Sequence, residues 1–296
     1  MKIVLSGATG FVGRHLLQLF EEESPDLLII KRQDTDISHL SSRFKNIESI
    51  NSEDCLSGEC SQDFSGTRIF IHLATCYGRG DETDEEVKKV NYDLGKSMLN
   101  LALESGASIF FNIDTSLPKH ANRYAYYKNT FKNDGQSFVS NKNLNFVNLV
   151  LENVYGPGDI SSTLIPSVIK ACKRRHSEIK LSHGAQKRDF LFIEDAARAI
   201  FTIIHNIEFS SEEKFRAIAV SSGNRFGIGE VAKLIKTLTQ SKIKLQFDST
   251  DCDLFAEDLT IANPQYLRSV GWKPLVSIRE GLLKTIADGH EFYVDD

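Results

Sequence analysis

The opening stretch MKIVLSGATGFVGRHLL sets Gly7, Gly10 and Gly13 between an apolar run, Ile3 to Leu5, and a segment from Phe11 to Phe20 whose apolar residues recur at helical spacing. That context assigns the glycines to a strand-to-helix turn. Glycine permits a tight turn and close backbone approach. Amide groups at a helix start, on the positive end of its dipole, attract phosphate oxygens. The turn is therefore a candidate pyrophosphate cradle, with a plain tight turn as the simpler alternative; its position directly after the first strand favours the cradle. The spacing, G-x-x-G-x-x-G, is one residue longer in its first interval than the common dinucleotide fingerprint.

Apolar runs at 27–30 (LLII), 69–73 (IFIHL), 108–113 (SIFFNI) and 146–151 (FVNLVL) alternate with helical patterns at 84–105 and 124–141. This rhythm predicts an α/β fold, a Rossmann-type doubly wound parallel sheet, with ligands beyond the carboxyl ends of its strands. After YGPGD, at 155–159, the pattern changes to a helix near 164–175 and shorter mixed elements. The expected division is a dinucleotide-binding domain over 1–157 with part of 188–222. A smaller α/β substrate domain over 158–187 and 223–296 is expected to cover the cleft. The acidic stretch GDETDEEVKK, 80–89, reads as a loop and an acidic helix start, favoured by the helix dipole.

Composition narrows the class. The 296 residues, 41% hydrophobic and 25% charged, can bury a sizeable core. The net charge of −5 comes without any lysine and arginine run interleaved with aromatics, so neither a nucleic-acid nor a membrane surface is expected. The basic cluster KACKRRH, 170–176, reads as a solvated helix end. No apolar stretch approaches the ~20 residues of a membrane span, and the chain enters a strand at residue 3 without a signal-peptide profile, so cytoplasm is the expected compartment. The five cysteines, 55, 60, 76, 172 and 252, form no CxxC pairs and have no clustered histidines. Neither a metal site nor a disulfide framework is expected.

The segment RYAYYKNTF sets Tyr124 and Lys128 four residues apart, on one face of a helix. Taken alone this is an ordinary surface pair. Here it follows a strand ending in NIDTS, which supplies hydroxyls at the same cleft. Tyrosine at its usual pKa is a poor acid–base group at neutral pH, and an adjacent ammonium is expected to lower that value. Thr115 then hydrogen-bonds the reacting oxygen, Tyr124 exchanges its proton, and Lys128 tunes Tyr124 and holds a cofactor ribose.

Taken in order, the glycine turn, IHLAT, Asn91 in VNYDLGKSML, the Tyr124 and Lys128 pair, NVYGPGD and QKRDFLFIEDAARA resemble the extended short-chain dehydrogenase/reductase family. That family includes nucleotide-sugar epimerases, dehydratases and ketoreductases. The likeness runs to LRSVGWKPLVSIREGL, almost the whole chain. It is nearest to the branch of CDP-abequose and CDP-paratose synthases, carried by IHLATCYG, FFNIDT, FVNLVLENVYGPGD and KRDFLFIEDAARAI. The resemblance implies that Gly7, Gly10 and Gly13, with the amides of Phe11 and Val12, hold the cofactor pyrophosphate. It further implies that Leu73, Ala74 and Thr75 line the ribose and that Asn91 belongs to the cofactor site. Thr115, Tyr124 and Lys128 match the catalytic set. Asn153 and Arg188 match positions that hold the substrate pyrophosphate, a task suited to a guanidinium fork; a surface ion pair with Asp189 is the alternative for Arg188. Thr75, Cys76 and Tyr77 follow a strand end, where sugar contact and a structural loop both fit. The helices at 84–105 and 124–141 match those that pair subunits, which implies a homodimer.

The chain departs from the pattern in three places. Thr115 lies nine residues before Tyr124, closer than usual, so Asp114 and Ser116 are alternatives for its role. Val150 stands where many relatives carry arginine. The dehydratase signature of threonine followed by aspartate and glutamate is absent, because Ser116 and Leu117 follow Thr115. Elimination of water needs a further acid and base, so dehydration is not expected.

Lys31 and Arg32 end the second strand where an NAD-binding relative carries an acidic residue, and cations there accommodate the extra phosphate of NADP; simple solvation is the other reading. A net reduction must exchange spent cofactor. The expected activity is thus NADPH-dependent reduction of the 4-keto group of a nucleotide-linked deoxysugar destined for surface polysaccharide such as lipopolysaccharide. A redox-neutral 4-epimerase with bound NAD(H) is the alternative. A non-catalytic dinucleotide sensor is the third reading, against which the Tyr124 and Lys128 pair argues.

Overall fold

The computed structural model describes residues 2–60, 64–181, 184–247 and 263–288. The chain divides into two compact units, Met1–Leu151 with Ile200–Ile218, and Glu152–Ala199 with Ala219–Asp296.

In the first unit, β1 (Lys2–Ser6) leads through the glycine turn into α1 (Phe11–Phe20), followed by β2 (Asp26–Lys31), β3 (Ile47–Asn51), α2 (Ser52–Ser57) and β4 (Thr67–His72). Then come α3 (Asp84–Lys88), a π-helical turn at Lys89–Asp93, α4 (Leu94–Glu104), β5 (Ile109–Thr115), α5 (Arg123–Val139) and β6 (Asn145–Leu151). The expected single helix over 84–105 is thus interrupted by one wide turn. Asn91 sits in that turn, fully buried.

The second unit opens with β7 (Asn153–Tyr155), α6 (Leu164–Lys173), β8 (Glu178–Leu181), β9 (Lys187–Arg188), β10 (Phe190–Phe192) and α7 (Ile193–Asn206). It continues with β11 (Phe215–Val220), β12 (Phe226–Gly227), α8 (Ile228–Leu238), β13 (Lys244–Phe247), α9 (Gln265–Ser269) and α10 (Ile278–Asp288). The chain passes back through the first unit within α7 and β11. Three two-stranded pairs, β10 with β7, β12 with β9 and β13 with β8, complete the strands.

The main sheet has seven strands in the order β11-β6-β5-β4-β1-β2-β3. The pairings from β6 through β3 are all parallel. Parallel strands covered on both faces read as continuous apolar runs, which is why LLII and IFI carry no polar alternation. Ile3, Val4, Leu5, Phe70 and Phe110 are buried at 0–1% exposure. Phe110 stacks between Phe70 and Phe146 at 6.5 and 5.5 Å, and Phe131 of α5 meets both Phe110 and Phe146 edge on. Strand order reverses between β1 and β4, so the crevice beyond their carboxyl ends is the ligand position of such a sheet.

Candidate active site

At that crevice the glycine turn follows β1. Gly7 has a φ of +75°, and a Cβ there would lie 2.6 Å from the amide nitrogen of Ala74, which follows β4. A Cβ on Gly13 would lie 2.1 Å from the carbonyl oxygen of Gly7. Both glycines are therefore required by the turn itself: one by handedness, both by close approach. Gly10 caps α1 without a side-chain hydrogen bond, and the first turn, with Phe11 and Val12, holds no acidic residue. No side chain competes with an anion for those amides, so the residues present fit a dinucleotide phosphate. Ser6 ties the two strand ends together. Its carbonyl accepts from the Leu73 amide at 3.2 Å, its hydroxyl accepts from Ala74 N at 3.4 Å, and it hydrogen-bonds His72 Nδ1 at 2.8 Å.

Asn91 explains the wide turn in the helix. Its Nδ2 donates to Val87 O at 2.8 Å and to Cys76 O at 2.7 Å, and its Oδ1 accepts from Cys76 N at 3.3 Å. The amide is spent on holding the loop after β4, which also contains Thr75 and Tyr77. Arg123 holds the far side of that loop, donating to Gly78 O at 3.0 Å and Glu82 O at 2.6 Å. Thr83 and Glu86 then form a capping box at the acidic start of α3.

Between these anchors Tyr77 is 47% exposed, and its ring lies 5.1 Å from that of Tyr124. The Arg79 guanidinium sits 5.1 Å over the Tyr77 ring. The sequence contained Arg79 and Arg123 as neighbours of the singled-out tyrosines, and nothing in their spacing marked them out.

Thr115, at the end of β5, hydrogen-bonds the Tyr124 hydroxyl. The Lys128 ammonium, fully buried, donates to Ile113 O at 2.9 Å and to Ala74 O at 3.4 Å. Thr115, Tyr124 and Lys128 are thus brought together at the carboxyl ends of β4 and β5. Asp114 lies on the face of β5 that α5 covers, and Thr115, at the end of the strand, is the residue hydrogen-bonded to Tyr124. One expectation is corrected. The net shift of Tyr124 is upward, not downward: burial, first, and the neighbouring Tyr77 raise the phenol above its ordinary value, with Thr115 acting in the other direction. Burial also pushes Lys128 down to about 8, with Asp114 opposing that fall.

Lys31 curls over its own loop, donating to Gln33 O at 3.1 Å and Arg32 O at 3.4 Å. Arg32 is exposed. In the second unit, β7 runs parallel to β10 with Asn153 opposite Phe190. Asn153 Nδ2 donates to Asp189 O at 3.1 Å, next to the half-buried Arg188. The Asp189 carboxylate accepts from the amides of Ser222 and Gly223 at 3.0 and 2.7 Å. Cys252 lies outside the described residues. No helix of the described residues is long and apolar enough to cross a membrane.

The CDP-abequose synthase of Salmonella typhimurium is 28% identical to this chain over 290 residues, 95% of each protein. That of Salmonella muenchen is 29% identical over 301 residues, 97% of each. A solved UDP-glucose 4-epimerase with UDP-glucose, from Thermotoga maritima, shares the fold with a TM-score of 0.79 at 18% identity, covering 97% of this chain and 98% of that one. The model of the NAD dependent epimerase/dehydratase family matches residues 3–218. With the glycine turn at the β1/β4 switch point and the tyrosine–lysine pair on α5, this match means that the chain belongs to the NAD dependent epimerase/dehydratase family.

Proposed function

We propose that this enzyme reduces the 4-keto group of a nucleotide-linked deoxysugar with NADPH. The observation that carries the reading is the cluster of Thr115, Tyr124 and Lys128 at the strand ends. The Tyr124 hydroxyl, with the Thr115 hydroxyl as its partner and the Lys128 ammonium one helical turn along α5, is placed to give its proton to a carbonyl oxygen. The near full-length likeness to two CDP-abequose synthases supports a nucleotide-linked deoxysugar as substrate.

When bound, the dinucleotide supplies a hydride to the ketone carbon and leaves oxidised. Tyr124 passes its hydroxyl proton to the carbonyl oxygen, which becomes the alcohol. Thr115, hydrogen-bonded to Tyr124, orients that oxygen. Lys128 would hold the cofactor ribose, with Leu73, Ala74 and Thr75 lining it. Asn91 acts by fixing the loop. Gly7, Gly10 and Gly13, with the amides of Phe11 and Val12, hold the pyrophosphate. Arg32, with Lys31 as a weaker partner, takes the extra phosphate of NADP. Tyr77 contacts the sugar, and Asn153 and Arg188 take the substrate diphosphate. A cytoplasmic homodimer supplying a surface polysaccharide completes the proposal.

The test is NADPH oxidation across CDP-, GDP-, UDP- and dTDP-linked 4-keto-6-deoxy sugars. Turnover with one of them supports the reading. Interconversion of nucleotide sugars with no net oxidation supports the epimerase instead.

A further inference from the structure

Strand register sets Phe110, Asn112 and Asp114 on one face of β5, with Phe146 and Asn148 beside the first two on β6. Helix α5 packs on that face, where Phe131 meets Phe110 at 6.1 Å and Phe146 at 5.8 Å. Lys128 lies one helical turn before Phe131, nearer the carboxyl ends of the strands. The face thus starts as aromatic core and turns polar as it reaches the site. Asn112 Nδ2 donates to Asn148 Oδ1 at 2.7 Å, and Asn148 Nδ2 donates to Asp114 Oδ2 at 2.8 Å. The Thr115 amide donates to Asp114 Oδ1 at 2.8 Å. Asn112 and Asn148 are fully buried, and Asp114 is 5% exposed. An apolar trio would pack there at lower cost, since buried carboxylates and amides must recover their lost hydration.

We propose that Asp114 is the positioning residue of the site: its carboxylate, aimed by Asn112 and Asn148, is the counter-charge that holds the Lys128 ammonium, and its bond to the Thr115 amide aims that hydroxyl at Tyr124. The proposal rests on the role given to Lys128 and Tyr124 under Proposed function.

The surroundings of Lys128 favour this assignment. On β4, His72 is kept neutral by burial and by the Lys128 charge itself. On α5, Tyr124 stays protonated. The Lys128 ammonium bonds the carbonyl of Ile113, the residue before Asp114, at 2.9 Å, and the Asp114 charge supports it against the burial that pushes it down to about 8. The direction of the amide chain fits too: both asparagines point their donors toward Asp114, and the buried Oδ1 of Asn112 is left without a partner at the far end. Satisfying the carboxylate has taken precedence over satisfying the amide.

That orphan makes a charge-only test possible. In Asp114→Asn the chain can reverse by two amide flips, the new amide donating to Asn148 and Asn148 donating to Asn112 Oδ1. Asp114→Ser, whose hydroxyl can accept from Asn148, removes the charge a second way. Asn148→Ser keeps the charge and removes a donor. The ligand-free protein is labelled with 13C at the lysine ε carbon, the Lys128 resonance is assigned with Lys128→Arg, and its titration is followed by NMR. The midpoint is expected near pH 8 in the wild type, and in Asn148→Ser between the wild type and the two variants that remove the charge. It is expected at about pH 7 or below in Asp114→Asn and Asp114→Ser, the loss of one nearby opposite charge. The rise of the NADPH dissociation constant with pH should begin about one pH unit lower in the same two variants. An unmoved midpoint in a folded Asp114 variant, or an equal shift in Asn148→Ser, overturns the proposal. Because the titration is read without substrate, a moved midpoint beside no turnover on any keto sugar rejects the reductase reading and keeps the Asp114–Lys128 link.

Discussion

The Lys128 ammonium donates a hydrogen bond to the carbonyl oxygen of Ile113, 2.9 Å away, while Tyr124, one turn earlier on the same helix, finds its partner in Thr115. The two residues of the pair are therefore held by different neighbours, and their removal should have different consequences. Tyr124→Phe keeps the ring against Tyr77 and removes the proton. Turnover should fall by at least ~100-fold, the lower end of what a positioned donor contributes, with NADPH affinity within a few-fold of wild type. Thr115→Ala should cost less. Steady-state kinetics with a separate binding titration check both, and an active Tyr124→Phe enzyme would remove Tyr124 from the proton path.

The burial of Lys128 has a signature in stability. Its ammonium sits at about 8 in the fold against 10.5 ordinarily. Below pH 8 both folded and unfolded chains carry the proton, and the penalty of the buried charge is fully present. Between about 8 and 10.5 only the unfolded chain carries it, so this contribution rises with pH, by about 3 kcal/mol in total. Wild type should thus gain on Lys128→Met as pH is raised from 8 to 10, and keep a constant difference below 8. Urea unfolding of both proteins at several pH values checks the slope; a difference that does not vary with pH would place the ammonium in contact with water.

The glycine turn should tolerate no side chain. Gly13→Ala puts a Cβ against the carbonyl of Gly7, and Gly7→Ala adds a left-handed conformation to a clash with Ala74. Overpacking of this kind costs about 1–3 kcal/mol, and at this size each kcal/mol lowers Tm by about 2–4 °C. Thermal unfolding should show that loss in both variants, together with loss of dinucleotide binding. Unchanged Tm in Gly13→Ala would mean the turn is looser than described.

Arg32 and Lys31 should separate. Lys31 is occupied by the carbonyls of Gln33 and Arg32, and Arg32 is exposed. A charge-assisted contact contributes on the order of 1.5–3 kcal/mol, or one to two powers of ten in affinity. Arg32→Ala should raise the NADPH dissociation constant by that much and leave NADH within a few-fold, and Lys31→Ala should do less. Added salt should weaken NADPH binding more in wild type than in Arg32→Ala. Equal affinity of the wild type for NADH and NADPH would contradict the assignment.

What could be read in the chain follows what is local. The strand-glycine-helix order, the apolar runs and the acidic start of α3 are each written within a dozen residues, and each is found where the pattern put it. Helical spacing between Tyr124 and Lys128 was legible for the same reason. The wide turn at Lys89–Asp93 was not, because it depends on Asn91 reaching Cys76, fifteen residues back across a loop. The raised phenol of Tyr124 was missed because burial, a property of the packed fold, outweighs the charge that sequence spacing brings near. The chain from Asn112 through Asn148 to Asp114 joins two strands by register alone, and periodicity within either strand carries no mark of it.

Net reduction is tested most directly by following the hydride. With NADPH deuterated at the transferred position and the accepted nucleotide-linked 4-keto-6-deoxy sugar, the alcohol product should carry deuterium at the former ketone carbon, with one NADPH oxidised per sugar reduced. Product that forms without deuterium and without consumption of NADPH, from enzyme that keeps its own NAD, would contradict the reductase and leave redox-neutral epimerisation in its place.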